Sequence, residues 1–261
     1  MTTMGGPGGD GGQSMNPRPS GSSALGIITL IAGLALAAVA IAWGATSIAS
    51  LLWMRSEEYV LRTELTSEGS AVVVDNGCGP ITLVEGSPGV VRTQAEVRWT
   101  FRKPTVTSET SGDVVRVRVD CPSFTVGVSR SSSVTVAVPP AATVEARSSA
   151  GGVKVTGLTG PLTLRTSAGS IRGENLRSTT VDAETSAGEV LLSFAEPPQD
   201  VRASTSAGSA TVLVPDDGTS YAVDASTSAG SESVAVRTDP TSDRSIEVTS
   251  SAGSVRVGYS S

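Results

Sequence analysis

From about residue 60 to the C-terminus, apolar and polar residues alternate in short runs, such as Val114-Val-Arg-Val-Arg-Val119 and Val134-Thr-Val-Ala-Val138. Successive side chains of a strand point to opposite faces. This period of two, bounded by Gly, Pro, Asn or Ser, therefore predicts half-buried β-strands. The same stretch carries no helix-period segment of useful length, so the predicted fold class is all-β.

The runs also repeat. Ser-Ala-Gly recurs six times, starting at Ser149, Ser167, Ser186, Ser206, Ser228 and Ser251 and closing on Gly151, Gly169, Gly188, Gly208, Gly230 and Gly253. The spacings are 18, 19, 20, 22 and 23 residues. A motif at ~20-residue intervals predicts a single-stranded, β-helix-like solenoid whose repeats bury their apolar face by stacking. Five residues before each motif Ser stand Val144, Leu162, Val181, Val201, Val223 and Ile246. Three before it stand Ala146, Leu164, Ala183, Ala203, Ala225 and Val248, and one before it Ser148, Thr166, Thr185, Thr205, Thr227 and Ser250. Apolar columns are expected inside and the intervening polar ones outside. Each repeat then reads as strand, tight turn at Ala-Gly, strand and variable return, with Gly supplying the positive φ that a sharp corner needs. Stacked Ser and Thr hydroxyls are expected to hydrogen-bond along the corner.

One column is broken. Four residues after the motif Ser stand Val153, Ile171, Val190, Ala210, Glu232 and Val255. A bulge or register slip that turns Glu232 outward is the expected remedy, with a functional buried carboxylate as the rival. The segment 60–140 lacks the Ser-Ala-Gly corner, although Asn76-Gly77-Cys78-Gly79 looks like a degenerate one. It forms either the first turns of the solenoid or a small sandwich that caps it. At the other end the run Val255 to Tyr259 has no evident cap. The last repeat is therefore expected to expose an edge, which is masked by twist and short length or used in association.

Ahead of the strands the pattern changes twice. Residues 1–23 are rich in Gly, Pro, Ser and Asn without periodicity and are read as a disordered tail. Residues 24–54 contain no charged side chain, long enough for a transmembrane helix that would partner the lipid bilayer. A cleaved signal peptide is the rival, but its apolar stretch should span only ~7–15 residues. The organisation expected is thus tail 1–23, transmembrane helix 24–54, N-terminal β region or cap 55–140, and repeat solenoid 141–261. Flanking cations are nearly balanced (Arg18 against Arg55 and Arg62), so they do not fix the orientation.

Composition then removes chemistry. The 261 residues include no His and two Cys, with 19 Lys+Arg against 25 Asp+Glu, for a net charge of -6. Absent His excludes Ser-His-Asp and Cys-His dyads, His metal sites and an imidazole switch. Two Cys cannot build a thiolate zinc site. An acidic chain argues against a nucleic-acid partner. Aromatics at 3% fit a narrow interior filled by Val, Ala, Leu and Thr. Cys78 and Cys121, 43 residues apart, are either a disulfide, which needs an oxidising compartment, or two unrelated buried thiols. A bond would place 55–261 outside the cytoplasm and the N-terminus inside.

The run Val134-Thr-Val-Ala-Val-Pro-Pro140, then Val144-Glu-Ala-Arg-Ser-Ser-Ala-Gly-Gly-Val153 and repeats such as Val181-Asp-Ala-Glu-Thr-Ser-Ala-Gly-Glu-Val190, resembles the bacterial "putative adhesin" domain family. These are envelope proteins of unknown function, and the resemblance covers about residues 70–258. It implies a β-helix-like solenoid behind an N-terminal membrane anchor, and carries no active-site residues with it.

No catalytic residue, cofactor or metal site is therefore expected. The motif serines lack a Gly-x-Ser-x-Gly elbow, and Asp216-Asp217-Gly218 lacks the further ligands of a calcium loop. The outward column Glu145, Thr163, Asp182, Arg202, Asp224, Glu247 is mostly acidic, with Arg147, Arg165 and Glu184 beside it. It reads as a solvated face laced by salt bridges. The function expected is a non-catalytic, adhesin-like binding module that contacts an envelope polymer or protein. The alternatives are a polysaccharide-acting enzyme using carboxylates of that column, or a membrane-tethered envelope sensor.

Overall fold

The computed structural model describes residues 55–64, 71–99, 102–121 and 130–260. All of these belong to one of two compact units, Ser50–Ser261. The tail 1–23 and the apolar run 24–54 lie outside the described residues. Among the described residues, no helix is long and apolar enough to cross a membrane.

The regular elements of the described residues are all strands, joined by turns and irregular segments. β1 (Arg55–Glu64) comes first, and β2 (Ala71–Asn76) with β3 (Ile81–Glu85) makes the first rung. β4 (Val90–Trp99) and β5 (Thr105–Ser111) follow, then β6 (Val114–Asp120) with β7 (Arg130–Val138) as the second rung. The third and fourth rungs are β8 (Thr143–Ser148) with β9 (Val153–Thr156) and β10 (Leu162–Ala168) with β11 (Ile171–Leu176). The fifth and sixth are β12 (Thr180–Ala187) with β13 (Val190–Phe194) and β14 (Asp200–Ala207) with β15 (Ala210–Val214). The seventh is β16 (Ala222–Thr227) with β17 (Glu232–Val234), and the eighth β18 (Ser245–Ala252) with β19 (Val255–Tyr259).

Each rung gives one strand to each of two mixed sheets, which are parallel along the stack and together form a solenoid-like fold. One sheet has the order β1-β4-β7-β3-β9-β11-β13-β15-β19-β17, the other β16-β18-β14-β12-β10-β8-β2-β6-β5. Register follows the aligned columns: Val144↔Leu162, Leu162↔Val181, Val181↔Val201 and Val201↔Ile246 in one sheet, Val153↔Ile171, Ile171↔Val190 and Val190↔Ala210 in the other. These apolar columns face one another and are almost wholly buried. At the far side of each rung, Leu158, Leu176, Phe194, Val214 and Tyr221 close the core.

The rungs do not stack in sequence order. The first rung lies between the second and the third, and the eighth lies between the sixth and the seventh. The rung left at the C-terminal end of the stack is therefore the seventh, not the last repeat that the sequence pattern placed there.

Glu232 supplies a physical reason. It is in register with Val255, so neither a bulge nor a slip accommodates it. Inside the stack its carboxylate would be sandwiched in an apolar column and desolvated, which costs several kcal/mol. On the terminal rung it stays exposed. The register shift along these columns occurs elsewhere, between Gly173 and Leu176 of β11, where Asn175 takes φ 51°.

At the other end, antiparallel strands close the stack. β5 pairs with β6 through a two-residue turn at Gly112-Asp113, and β4 pairs with β7 and then β1. The 55–140 region thus supplies both rungs and covering strands.

Candidate functional site

The Ser-Ala-Gly corners form a single structural column. The motif serines Ser149, Ser167, Ser186, Ser206, Ser228 and Ser251 are exposed. The residue before each one carries the corner. Ser148 Oγ donates to Gly79 O at 2.9 Å, Thr166 Oγ1 to Gly151 O at 2.8 Å and Thr185 Oγ1 to Gly169 O at 2.9 Å. Thr205 Oγ1 donates to Gly188 O at 3.0 Å, Ser250 Oγ to Gly208 O at 2.9 Å and Thr227 Oγ1 to Gly253 O at 2.8 Å. The hydroxyls hydrogen-bond along the corner as expected, with backbone carbonyls as the acceptors. Each reaches the corner carbonyl of the rung below, and this ladder follows the interchanged order.

Gly151, Gly169, Gly188, Gly208 and Gly253 have φ between 140° and 151°. A Cβ on any of them would fall on backbone atoms of the neighbouring corner. Gly230, on the terminal rung, lacks that positive φ, but a Cβ there would still meet Gly253 O.

Cys78 and Cys121 are joined by a disulfide, with Cα atoms 6.0 Å apart. It ties the corner after β2 to the end of β6. The buried side chain of Asn76 organises this corner. It donates from Nδ2 to Pro80 O at 3.1 Å and accepts at Oδ1 from the Cys78 N–H and the Ser132 hydroxyl.

The charged positions lie on the outer face of the sheet that contains β12. In space the column runs Glu145, Thr163, Asp182, Arg202, Glu247, Asp224. Arg165 binds Asp182 at 2.9 Å and also Glu184, Arg147 pairs with Glu145, and Arg202 lies 3.6 Å from Glu247. Asp182 and Asp224 are separated by two intervening strands, roughly 14 Å at the usual strand spacing. That exceeds the ~6.5–9.5 Å between the paired carboxyls of an inverting glycosidase. Glu247 and Asp224 are directly opposite each other, as in sequence order, whereas the interchange sets Arg202 opposite Glu247 instead of Asp224.

Two further acids sit in turns. Asp217 accepts from the Thr219 N–H at 2.9 Å, and hydrogen bonds from Thr219 hold its carboxyl below the usual range. Thr241 does the same for Asp239, through its hydroxyl at 2.7 Å and its N–H at 2.9 Å. Among the described residues no group of three or more His, Cys, Asp or Glu is placed to hold a metal ion.

A crevice of about 610 Å³ runs along β16 at the end of the stack. Its walls include Asp200, Arg202, Asp224 and Glu247 together with Val223, Val234 and Pro240. Tyr221 lines it too, but the phenol oxygen is buried with no hydrogen-bond partner, and burial pushes its pKa up to about 12. No sequence signal marked this crevice, because it exists only where the seventh rung ends the stack.

The family model that matches the chain is described as Toastrack DUF4097 and covers residues 89–260. Among solved structures the chain is similar to a "putative cell adhesion protein" from Clostridium sporogenes, at 11% identity and TM-score 0.49, over 79% of this chain and 100% of that one. It is also similar to a "putative adhesin" from Bacteroides fragilis, at 11% identity and TM-score 0.29, over 77% and 97%. A "putative lipid binding protein" from Parabacteroides distasonis shares 10% identity at TM-score 0.30, over 78% and 97%. No curated protein matches the chain.

Proposed function

The chain belongs to the Toastrack DUF4097 family, and from that membership we propose that it is a membrane-anchored, extracytoplasmic binding module of the bacterial envelope that performs no catalysis. One observation carries the binding reading. The outer face of the β12 sheet is a regular array of charged and hydroxyl side chains that pair across rungs. Such a face offers repeated, evenly spaced polar contacts to an extended polymer or a protein surface. A single-strand β-solenoid behind a transmembrane helix at 24–54 would hold it at the outer surface, with the tail 1–23 in the cytoplasm. The Cys78–Cys121 bond supports an oxidising location.

Location and activity are tested separately on the full chain. Resistance to alkaline carbonate extraction, with proteolysis of the solenoid from outside intact cells, is the expected topology result. Extraction into the soluble fraction overturns the anchor. For activity, the detergent-solubilised chain is sedimented with purified envelope polymer. Co-sedimentation without release of soluble sugar is expected. Sugar release that disappears in Asp224→Asn overturns the non-catalytic reading.

A further inference from the structure

The terminal rung carries an unfinished sheet edge. In β16 the even-numbered residues bond inward, as Ala222 N to Arg244 O at 2.8 Å and Ser228 N to Ser250 O at 3.2 Å show. By the alternation of a parallel ladder, Val223 and Ala225 turn their N–H and C=O groups to the open side. Both flanks of this window are closed. Glu232 Oε1 accepts from Thr227 N at 2.8 Å. On the other side Tyr221 N donates to Arg237 O at 3.1 Å, and Asp239 N to Tyr221 O at 2.9 Å. What stays open is Ala222 to Ser226, long enough for a short added strand.

The side chains of the window state the chemistry of that strand. On the outer face Asp224 stands directly opposite Glu247, and like charges so placed repel. Arg202 serves Glu247 from the rung behind, whereas Asp224 has no cation within salt-bridge distance among the described residues. A Lys or Arg on the next strand would complete the column. On the inner face Val223 and Ala225 are only half-buried and Val234 is 44% exposed, so apolar surface awaits cover. A second copy fits poorly. The antiparallel register that bonds both Val223 and Ala225 sets Asp224 opposite its own copy.

We propose that β16 takes an extended segment of a partner protein as an added strand, with apolar residues facing inward against Val223 and Val234 and a Lys or Arg set opposite Asp224. This is strand addition, in which main-chain bonds give affinity and alternate side chains give specificity. It rests on the binding reading above, but uses the end of the stack rather than its face.

The test uses the full chain in detergent and labelled peptides of alternating Val and Lys. Fluorescence anisotropy should show binding at least tenfold tighter than for the matching Val and Glu peptide, and Asp224→Lys should reverse that preference. Bound peptide should slow amide exchange at Val223 and Ala225. A Val and Lys peptide N-methylated on its backbone should lose binding. Equal binding by the methylated peptide, or no discrimination between Lys and Glu, overturns strand addition. So does protection of Val223 and Ala225 by self-association without peptide. Co-sedimentation with envelope polymer reports the face independently, so either reading can fail while the other stands.

Discussion

The hydroxyl of Thr185, which is 1% exposed, donates to the carbonyl of Gly169 on the neighbouring rung at 2.9 Å. The equivalent bond recurs at every Ser-Ala-Gly corner, so it is the repeated fastening of the stack. Thr185→Val keeps the shape and strands the Gly169 carbonyl. A buried polar group left unpaired costs about 1–3 kcal/mol. Denaturant unfolding should show that loss for Thr185→Val and only a small one for Thr185→Ser. Thr227, half-buried on the terminal rung, should be much less sensitive to the same change. Equal losses at 185 and 227 would refute the dependence on burial.

Gly188 lies at φ 147°, and a Cβ there would collide with Gly169. Gly112 lies at φ 58° with open space around it. Gly112→Ala therefore bears backbone strain alone, on the order of 1 kcal/mol. Gly188→Ala adds a backbone clash and should cost clearly more, with loss of soluble, folded protein a possible readout. Thermal melts of the two variants side by side check the ranking.

The disulfide between Cys78 and Cys121 spans 43 residues. Loop-closure entropy for that span is worth about 4 kcal/mol, with typical measured effects of ~2–4. Cys78→Ser combined with Cys121→Ser should lower the denaturant midpoint accordingly and leave the strand signal in circular dichroism unchanged. Reduction of the unaltered chain should reproduce the shift. Two freely alkylated thiols in the unfolded, unreduced protein would show that no bond forms.

Tyr221 is fully buried, and its pKa is pushed up to about 12 from 10.0, chiefly by desolvation. A raised folded value means that the fold holds the proton more tightly than the unfolded chain does. The associated stability is present below pH 10 and is lost as pH climbs towards 12. Of the 3 tyrosines, one should form tyrosinate late, coincident with unfolding. Because the phenol oxygen has no partner, Tyr221→Phe should be neutral or stabilising and should abolish the late phase. A clear destabilisation would reveal a missing hydrogen bond.

Rung order can be read by cross-linking. Thr211 is opposite Arg256 in adjacent strands, whereas sequence-order stacking would set it opposite Ser233. With the native cysteines still paired, Thr211→Cys with Arg256→Cys should cross-link under mild oxidation, and Thr211→Cys with Ser233→Cys should not. The reverse pattern would restore sequential stacking. Glu232→Val, which removes the group that disfavours the interior, should raise the yield of the second pair.

The period-two alternation by itself determined the all-β class and the inward columns. It also determined the register within the repeats, because one slip would move every Val to water. The Gly at each corner was equally readable, since only a residue without Cβ fits against the carbonyl below. The tertiary structure alone decided which rungs lie at the ends. Every repeat presents the same columns to its neighbours, so local pattern scores sequential and interchanged stacking alike. The choice falls to the cost of burying single side chains such as Glu232, and to the antiparallel strands β4 and β5 that cover the second rung. The acidic crevice at β16 follows from that choice. Asp224 and Glu247 come from different repeats, and only the interchange, by placing the eighth rung against the seventh from the inside, makes Asp224 the last charge of the column with an open edge beside it.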